Sequence, residues 1–241
     1  MTVIAIDGPS GSGKSTVARA VAKELGLAYL DTGAMYRAAA LWARRAQLLD
    51  QPDKLPALVQ AMPLSVPLDP CDQSVYLADE DVTALIRTPA VSGYVSKLST
   101  VIPVRQVLVA WQRAIVEANR HPGIVLEGRD INTVVAPDAD VRLLITAAEA
   151  TRLRRRALDQ HGQAGSAAIA ATRAEISGRD REDATVAQFT EAPPGVTLID
   201  SSDLTAEQTV AAVLELAAQV DGESPGRRAP SQAPRRQGGL S

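Results

Sequence analysis

Residues 8–16 read Gly-Pro-Ser-Gly-Ser-Gly-Lys-Ser-Thr, between an apolar run, Thr2-Val3-Ile4-Ala5-Ile6, and a stretch with apolar residues at Val17, Ala18, Val21, Ala22 and Leu25. The order of buried strand, glycine-rich turn and helix is what the pattern G-x-x-x-x-G-K-[ST] needs to hold a phosphate chain. Gly8, Gly11 and Gly13 leave room for backbone N–H groups to converge on phosphate oxygens. The helix that begins near Lys14 turns its positive end to the same oxygens. Lys14 is placed to reach the β- and γ-phosphates, Ser15 to offer its hydroxyl to Mg²⁺, and Thr16 to approach the α-phosphate. The loop Gly8, Pro9, Ser10, Gly11, Ser12, Gly13, Lys14, Ser15 and Thr16 is therefore read as an ATP site.

The rest of the chain follows a strand and helix rhythm. Leu27–Leu30 reads as a strand, and Thr32 as the cap of a helix over about 34–47. A proline-punctuated stretch, 51–103, breaks the rhythm with short alternating pieces and reads as an insertion. Helices are expected over 104–119, 148–160 and 205–220, strands over 124–127, 141–145 and 196–199, and a flexible break over 161–166. Such alternation implies an α/β fold, a parallel sheet with helices on both faces and its site beyond the strand C-termini. Asp7-Gly8, Asp31-Thr32 and Gly128-Arg129-Asp130 all fall there.

At 241 residues, one domain with an insertion is expected. A net charge of -3 gives no overall basic field for a nucleic acid. Cys71 is the single cysteine, so no internal disulfide forms, and a reducing cytoplasm fits. No apolar run approaches the roughly 20 residues of a membrane span. From Gly222 on, apolar periodicity is lost to Pro, Gly, Ser, Gln and Arg, so 222–241 reads as a disordered tail. Four arginines against Glu223 give this tail a net +3 and leave -6 on the residues before it.

The two histidines, His121 and His161, lie beside no plausible nucleophile, and no general base is evident. One acceptor class manages without a base. A phosphate monoester has its second pKa near 6 and is largely dianionic at neutral pH, so its oxygen is already a nucleophile. Bringing two polyanions together then demands cations and positioning. Arg37, Arg105, Arg129, Arg179 and Arg181 stand near strand ends and helix starts, and the planar guanidinium suits phosphate.

The loop, together with Leu30-Asp31-Thr32-Gly33-Ala34-Met35-Tyr36-Arg37, Glu127-Gly128-Arg129-Asp130, Asp79-Glu80-Asp81-Val82-Thr83 and Ile86-Arg87-Thr88-Pro89, resembles the bacterial cytidylate kinase family over about residues 3–218. The resemblance implies a P-loop nucleoside monophosphate kinase fold on a five-stranded parallel core. That core would comprise 1–31, 104–150 and 178–221, within a domain of 1–221. A nucleotide-binding arm with its insertion would span about 32–103, and a small lid about 151–177. The implied reaction is transfer of phosphate from ATP, with Mg²⁺, to CMP or dCMP, by a monomer in the cytoplasm with no nucleic-acid or membrane partner. Lys14, Arg37, Arg129 and Arg181 would be catalytic. Tyr36, Arg37 and Arg129 would hold the acceptor phosphate, Ser96 and Asp130 the cytosine amino group, Arg105 the pyrimidine carbonyl and Asp183 the ribose. Ser15 would contact the metal.

Four departures from the family pattern stand out. Val186 occupies a position where the family has Arg, a change expected to weaken phosphate clamping unless Arg181 or one of Arg152, Arg154, Arg155 and Arg156 takes over. Asn132 replaces a usual Gly, with a side chain expected to crowd its surroundings or face solvent. Ala78-Asp79 replaces a glycine-containing turn, while Ala187-Gln188-Phe189 stands for a usual Ala-Pro-Leu. A uridylate- or shikimate-type kinase and a non-catalytic P-loop protein are the other readings, although no Asn-Lys-x-Asp motif of a GTP switch is present.

Overall fold

The computed structural model describes residues 2–173, 185, 187 and 189–223. Strands β1 (Thr2–Asp7), β2 (Ala28–Asp31), β6 (Gly123–Gly128), β7 (Val141–Thr146) and β8 (Thr197–Asp200) form a parallel sheet in the order β2-β6-β1-β7-β8. β1 and β6 are buried along their whole length, which is why both read as unbroken apolar runs. Successive side chains of β1 alternate between two cores. Ile4 and Ile6 pack with Val17, Val21 and Ala22 of helix α1 (Lys14–Leu25) and with Val213 and Ala217 of helix α8 (Ala206–Glu223). Val3 and Ala5 face the other way, toward Val109 and Val116 of helix α5 (Ile102–Ala118).

The stretch that broke the rhythm has a core of its own. It contains helix α3 (Leu55–Gln60), an antiparallel sheet of β3 (Leu64–Ser65), β4 (Tyr76–Leu77) and β5 (Glu80–Asp81), and helix α4 (Pro89–Ser99). Val91, Val95 and Leu98 of α4 pack against Ala38, Ala39 and Ala43 of helix α2 (Thr32–Arg45), whose small side chains admit a close approach. Arg45 of α2 also pairs with Glu80 of β5 at 2.7 Å, on the surface. Helix α6 (Glu149–His161) is followed by a non-helical 162–165 and a further helical segment, α7, described over 166–173.

Several boundaries differ from the sequence expectation. Asp31, not Thr32, caps α2: its Oδ1 accepts from Ala34 N at 2.9 Å. Thr32 Oγ1 instead donates to the carbonyl of Glu127 at 2.8 Å, tying β2 to β6. α4 was missed because Ser, Gly and Tyr dilute its apolar stripe, although Val91, Val95 and Leu98 already carry i, i+4, i+7 spacing. α5 begins at Ile102 rather than 104, with Pro103 accepted in its first turn. α8 continues through Glu223, two residues into the segment read as a tail. Among the described residues no helix is long and apolar enough to cross a membrane.

Register sets where the site lies. Ile6 is paired with Glu127, Asp7 with Gly128, and Asp31 with Glu127, so the C-terminal ends of β1, β2 and β6 meet on one line.

The turn between β4 and β5 offers a test of local strain. Ala78, where a glycine was expected, has φ 54, in the left-handed region that costs an L-residue roughly 1–2 kcal/mol. Ala78→Gly is therefore expected to stabilise the chain by about 1 kcal/mol in urea denaturation, and a destabilised variant would contradict this reading of the turn.

Candidate active site

The loop after β1 is built as its sequence requires. Gly13 has φ 90 and caps α1, turning the first N–H groups of the helix into the loop. A Cβ on Gly8 would meet the carbonyl oxygen of Ile145 at 2.2 Å, so only glycine lets β1 turn this close to β7. Lys14 Nζ donates to Pro9 O at 3.3 Å across the loop.

Glu127, at the end of β6, faces this loop and is almost wholly buried. Its Oε1 accepts from Ser15 Oγ at 2.6 Å and from Tyr29 Oη at 3.4 Å, and Lys14 Nζ stands 3.9 Å from its Oε2. Burial and then the neighbouring charge of Asp31 hold this carboxylate well above the ordinary range, against the pull of Lys14. A cation at this point would relieve that cost. A hydroxyl and a buried carboxylate at hydrogen-bond distance are also a fitting donor set for Mg²⁺, which takes one or two carboxylates and otherwise keeps water.

The far side of the cleft is anchored by a second buried carboxylate. Asp7, the last residue of β1, accepts from Ile131 N and Asn132 N, each at 2.9 Å. Asn132 Nδ2 adds a bond to Asp7 at 2.9 Å and another to Leu143 O at 2.8 Å. The side chain of Asn132 thus neither crowds the turn nor faces solvent, as its sequence context led us to expect; it is buried and stitches the turn to β1 and β7. That turn, Ile131–Val135, follows directly on Arg129 and Asp130. Asp130 pairs with Arg105, whose Nη1 also donates to Ser99 O at 3.3 Å. The guanidinium of Arg105 lies 5.7 Å from the ring centre of Tyr36, and that of Arg129 lies 4.6 Å from the ring centre of Phe189.

Two adjoining cavities result. The larger, of ≈ 160 Å³, runs along the loop from Ser10 to Thr16 and is walled by Arg37, Arg87, Arg129, Glu127 and Arg156. The smaller, of ≈ 50 Å³, is lined by Tyr36, Ser99, Arg105, Asp130 and Ala187 among others. Gly33, Gly128 and Arg129 border both, so the two spaces adjoin at these residues. Arg37 reaches the larger one while its Nη1 donates to Ile86 O at 3.3 Å and Ser92 Oγ at 3.0 Å. The start of α6 is fastened to the loop: Arg152 donates to Ser10 O at 3.1 Å, and Arg155 to Ser12 O at 3.4 Å and Ser201 Oγ at 3.0 Å. Of the α6 arginines, Arg156 is the one that lines the phosphate cleft.

The model of the family described as cytidylate kinase matches residues 4–219. The chain belongs to the cytidylate kinase family. A cytidylate kinase of Cutibacterium acnes is 44% identical over 218 residues, covering 89% of this chain and 95% of that one. One from Nocardia farcinica is 42% identical over 219 residues, with 90% and 94% covered, and one from Pelotomaculum thermopropionicum is 44% identical over 220 residues, with 86% and 92% covered.

Within this family member, the structure brings Lys14, Ser15, Thr16, Arg37 and Arg129 to the larger cavity and Tyr36, Arg105, Arg129 and Asp130 to the smaller. Ser96 is buried and is not on the cavity wall; Ser99, one helical turn on, is, and its Oγ donates to Ser96 O at 3.3 Å. Arg179, Arg181, Asp183 and Val186 lie outside the described residues. Sequence reasoning placed Asp31 near the site and Arg156 among the arginines able to replace the one missing at Val186, but passed over Glu127, Arg87 and Asp159 as members of it. Glu127 had a usable signal, an acidic residue ending an apolar strand, but it was absorbed into that strand.

Asp7 makes the site's anchor measurable. Burial, ahead of the Asp130 charge, lifts its pKa from 3.8 to about 6, although three hydrogen bonds pull the other way. The folded chain thus holds this proton more tightly than the unfolded chain does. The stability so gained is complete below about pH 4 and is lost as pH rises through about 6. Asp7→Asn carries no such proton. Its stability relative to the unsubstituted chain is expected to improve as pH rises from about 4 to 6.5 in urea titrations; a difference independent of pH would contradict the account.

Proposed function

We propose that this chain transfers the γ-phosphoryl group of ATP to CMP and dCMP, giving ADP and the cytidine diphosphate. The observation that carries the reading is the second cavity. A buried carboxylate, Asp130, and its guanidinium partner, Arg105, stand together beside Tyr36 in a space that opens onto the phosphate loop. A carboxylate accepts from the 4-amino group of cytosine, and a guanidinium donates to the neighbouring carbonyl. Uracil presents a carbonyl where cytosine has its amino group, so the same carboxylate would repel it. A shikimate-type acceptor would leave this buried pair without a partner, and a purely binding P-loop protein would have no use for a second cavity. The family relationship supports the same substrate.

In this reading the donor triphosphate lies along Gly8–Thr16, with Lys14 at its outer phosphates. Arg37 and Arg129 hold the acceptor phosphate at the junction of the cavities, and Tyr36 packs against the acceptor. Asp183 would hold the ribose, and Arg181 would join Arg156 over the transferring group. Ser15 and Glu127 would hold Mg²⁺, which when bound offsets charge on the donor phosphates. The acceptor dianion attacks without prior loss of a proton. Arginines fixed before the reaction stabilise the charge that spreads over the transferring group, with little reorganisation at the moment of transfer. The core, arm and lid assigned to 1–31, 104–150 and 178–221, to 32–103 and to 151–177 fit this division of labour, with the first turns of α6 belonging to the donor loop they are bonded to.

A coupled ADP-release assay with CMP, dCMP, UMP, AMP and GMP tests the proposal. CMP and dCMP are expected to exceed the others in kcat/KM by at least about 100-fold, the discrimination expected when a wrong base leaves buried polar groups unpaired. Faster turnover of UMP or AMP than of CMP would overturn the substrate assignment.

A further inference from the structure

Arg87 ends the short 3-10 turn Leu85–Arg87, between the small antiparallel sheet and α4. The turn is firmly held. Ile86 is fully buried, its N–H donates to Val82 O at 2.9 Å, and Thr88 Oγ1 donates to Leu85 O at 2.8 Å. From this base the exposed Arg87 side chain reaches the wall of the phosphate cleft, in company with Lys14, Arg37, Arg129 and Arg156. It also borders a smaller cavity beside Arg19, Tyr29 and Asp31.

The neighbouring cations already have work inside the protein. Lys14 bonds Pro9 O and faces Glu127, Arg37 bonds Ile86 O and Ser92, and Arg129 lies over Phe189. The Arg87 backbone N–H donates to Ala84 O at 3.2 Å, but its guanidinium makes no hydrogen bond or ion pair with the other described residues. Its position is nonetheless coupled to the acceptor side, because Arg37 donates to the carbonyl of Ile86, the residue before it. The Arg37 guanidinium and the turn that carries Arg87 are thus fixed to one another before any substrate binds. An uncommitted guanidinium on a rigid turn, in a cleft for two polyanions, is an unfilled phosphate ligand.

We propose that Arg87 binds the phosphate of the acceptor nucleotide alongside Arg37, as a clamp contributed by the insertion. This rests on the kinase reading above. It also bears on the departure at Val186, since the insertion supplies a further cation to the phosphate cleft. The competing role for Arg87 is to balance the charges of Asp31 and Glu127, which would show in the stability of the substrate-free protein and not in recognition of phosphate.

The test uses full-length Arg87→Gln, with Arg87→Lys and, as a control on an exposed arginine of the same arm, Arg45→Gln. CMP and cytidine affinities are measured by calorimetry, together with kcat and KM for CMP and ATP. The unsubstituted chain is expected to bind CMP more tightly than cytidine. Arg87→Gln is expected to lose about 10- to 100-fold in CMP affinity and in kcat/KM for CMP, the range for one hydrogen bond to a charged group. Cytidine affinity, KM for ATP and the melting temperature stay near their original values; Arg87→Lys recovers part of the loss, and Arg45→Gln shows none. An unchanged CMP-to-cytidine ratio in Arg87→Gln overturns the assignment, as does an equal loss of both affinities, which would mark a structural effect. Failure of the unsubstituted chain to phosphorylate CMP would sink the kinase reading itself, and this assignment with it.

Discussion

The carboxylate of Asp7 closes one end of the central strand and accepts the backbone N–H groups that follow Arg129 and Asp130. The next residue, Gly8, opens the phosphate loop. One side chain thus fixes the phosphate loop relative to Arg129 and Asp130, more than a hundred positions away in the chain. Direct bonding of two loops through a buried carboxylate is costly, because desolvation opposes the charge. Three hydrogen bonds offset that cost here, two from the backbone and one from Asn132. The arrangement trades stability near neutral pH for a fixed distance between two half-sites.

Electrostatics in the cleft follow the same logic of preorganisation. Glu127 is buried with Ser15, Tyr29 and Lys14 around it, so its charge is confined to the face toward the phosphate loop. The arginines are held by the protein before any substrate arrives: Arg37 by Ile86 and Ser92, Arg105 by Asp130, Arg129 by the ring of Phe189. A guanidinium whose rotamers are already restricted loses little entropy when it meets phosphate. The fastening of Arg152 and Arg155 to carbonyls of the loop also gives α6 a fixed root beneath Arg156.

The sequence carried the sheet, the loop and many of the residues that line the two cavities because each was signalled locally. Buried strands show as apolar runs, and the loop has a glycine and lysine spacing that few other structures need. What it did not carry depends on contacts between distant segments. Asn132 looked misplaced beside its neighbours, and only the approach of Asp7 and Leu143 gives its amide partners. Asp31 displaced Thr32 as the cap of α2 because the Thr32 hydroxyl was taken by Glu127 O across the sheet. The choice between Ser96 and Ser99 at the cavity is one helical turn, a difference that depends on how α4 is rotated against α2 rather than on composition. Arg87 stands within the Ile86–Pro89 motif, yet its place in the cleft follows from the fold of the insertion.

The central claim is that the loop after β1 and the cavity at Asp130 form one two-nucleotide site. A single ligand joining adenosine and cytidine through five phosphates would span both halves at once. Linking two binding events makes the second intramolecular, and gains of about 10² or more follow when the geometry permits both. Titration calorimetry of this ligand against ATP and CMP measured separately decides the matter: the account predicts binding at least about 100-fold tighter than the better single nucleotide, and an affinity no better than that of ATP alone would contradict it.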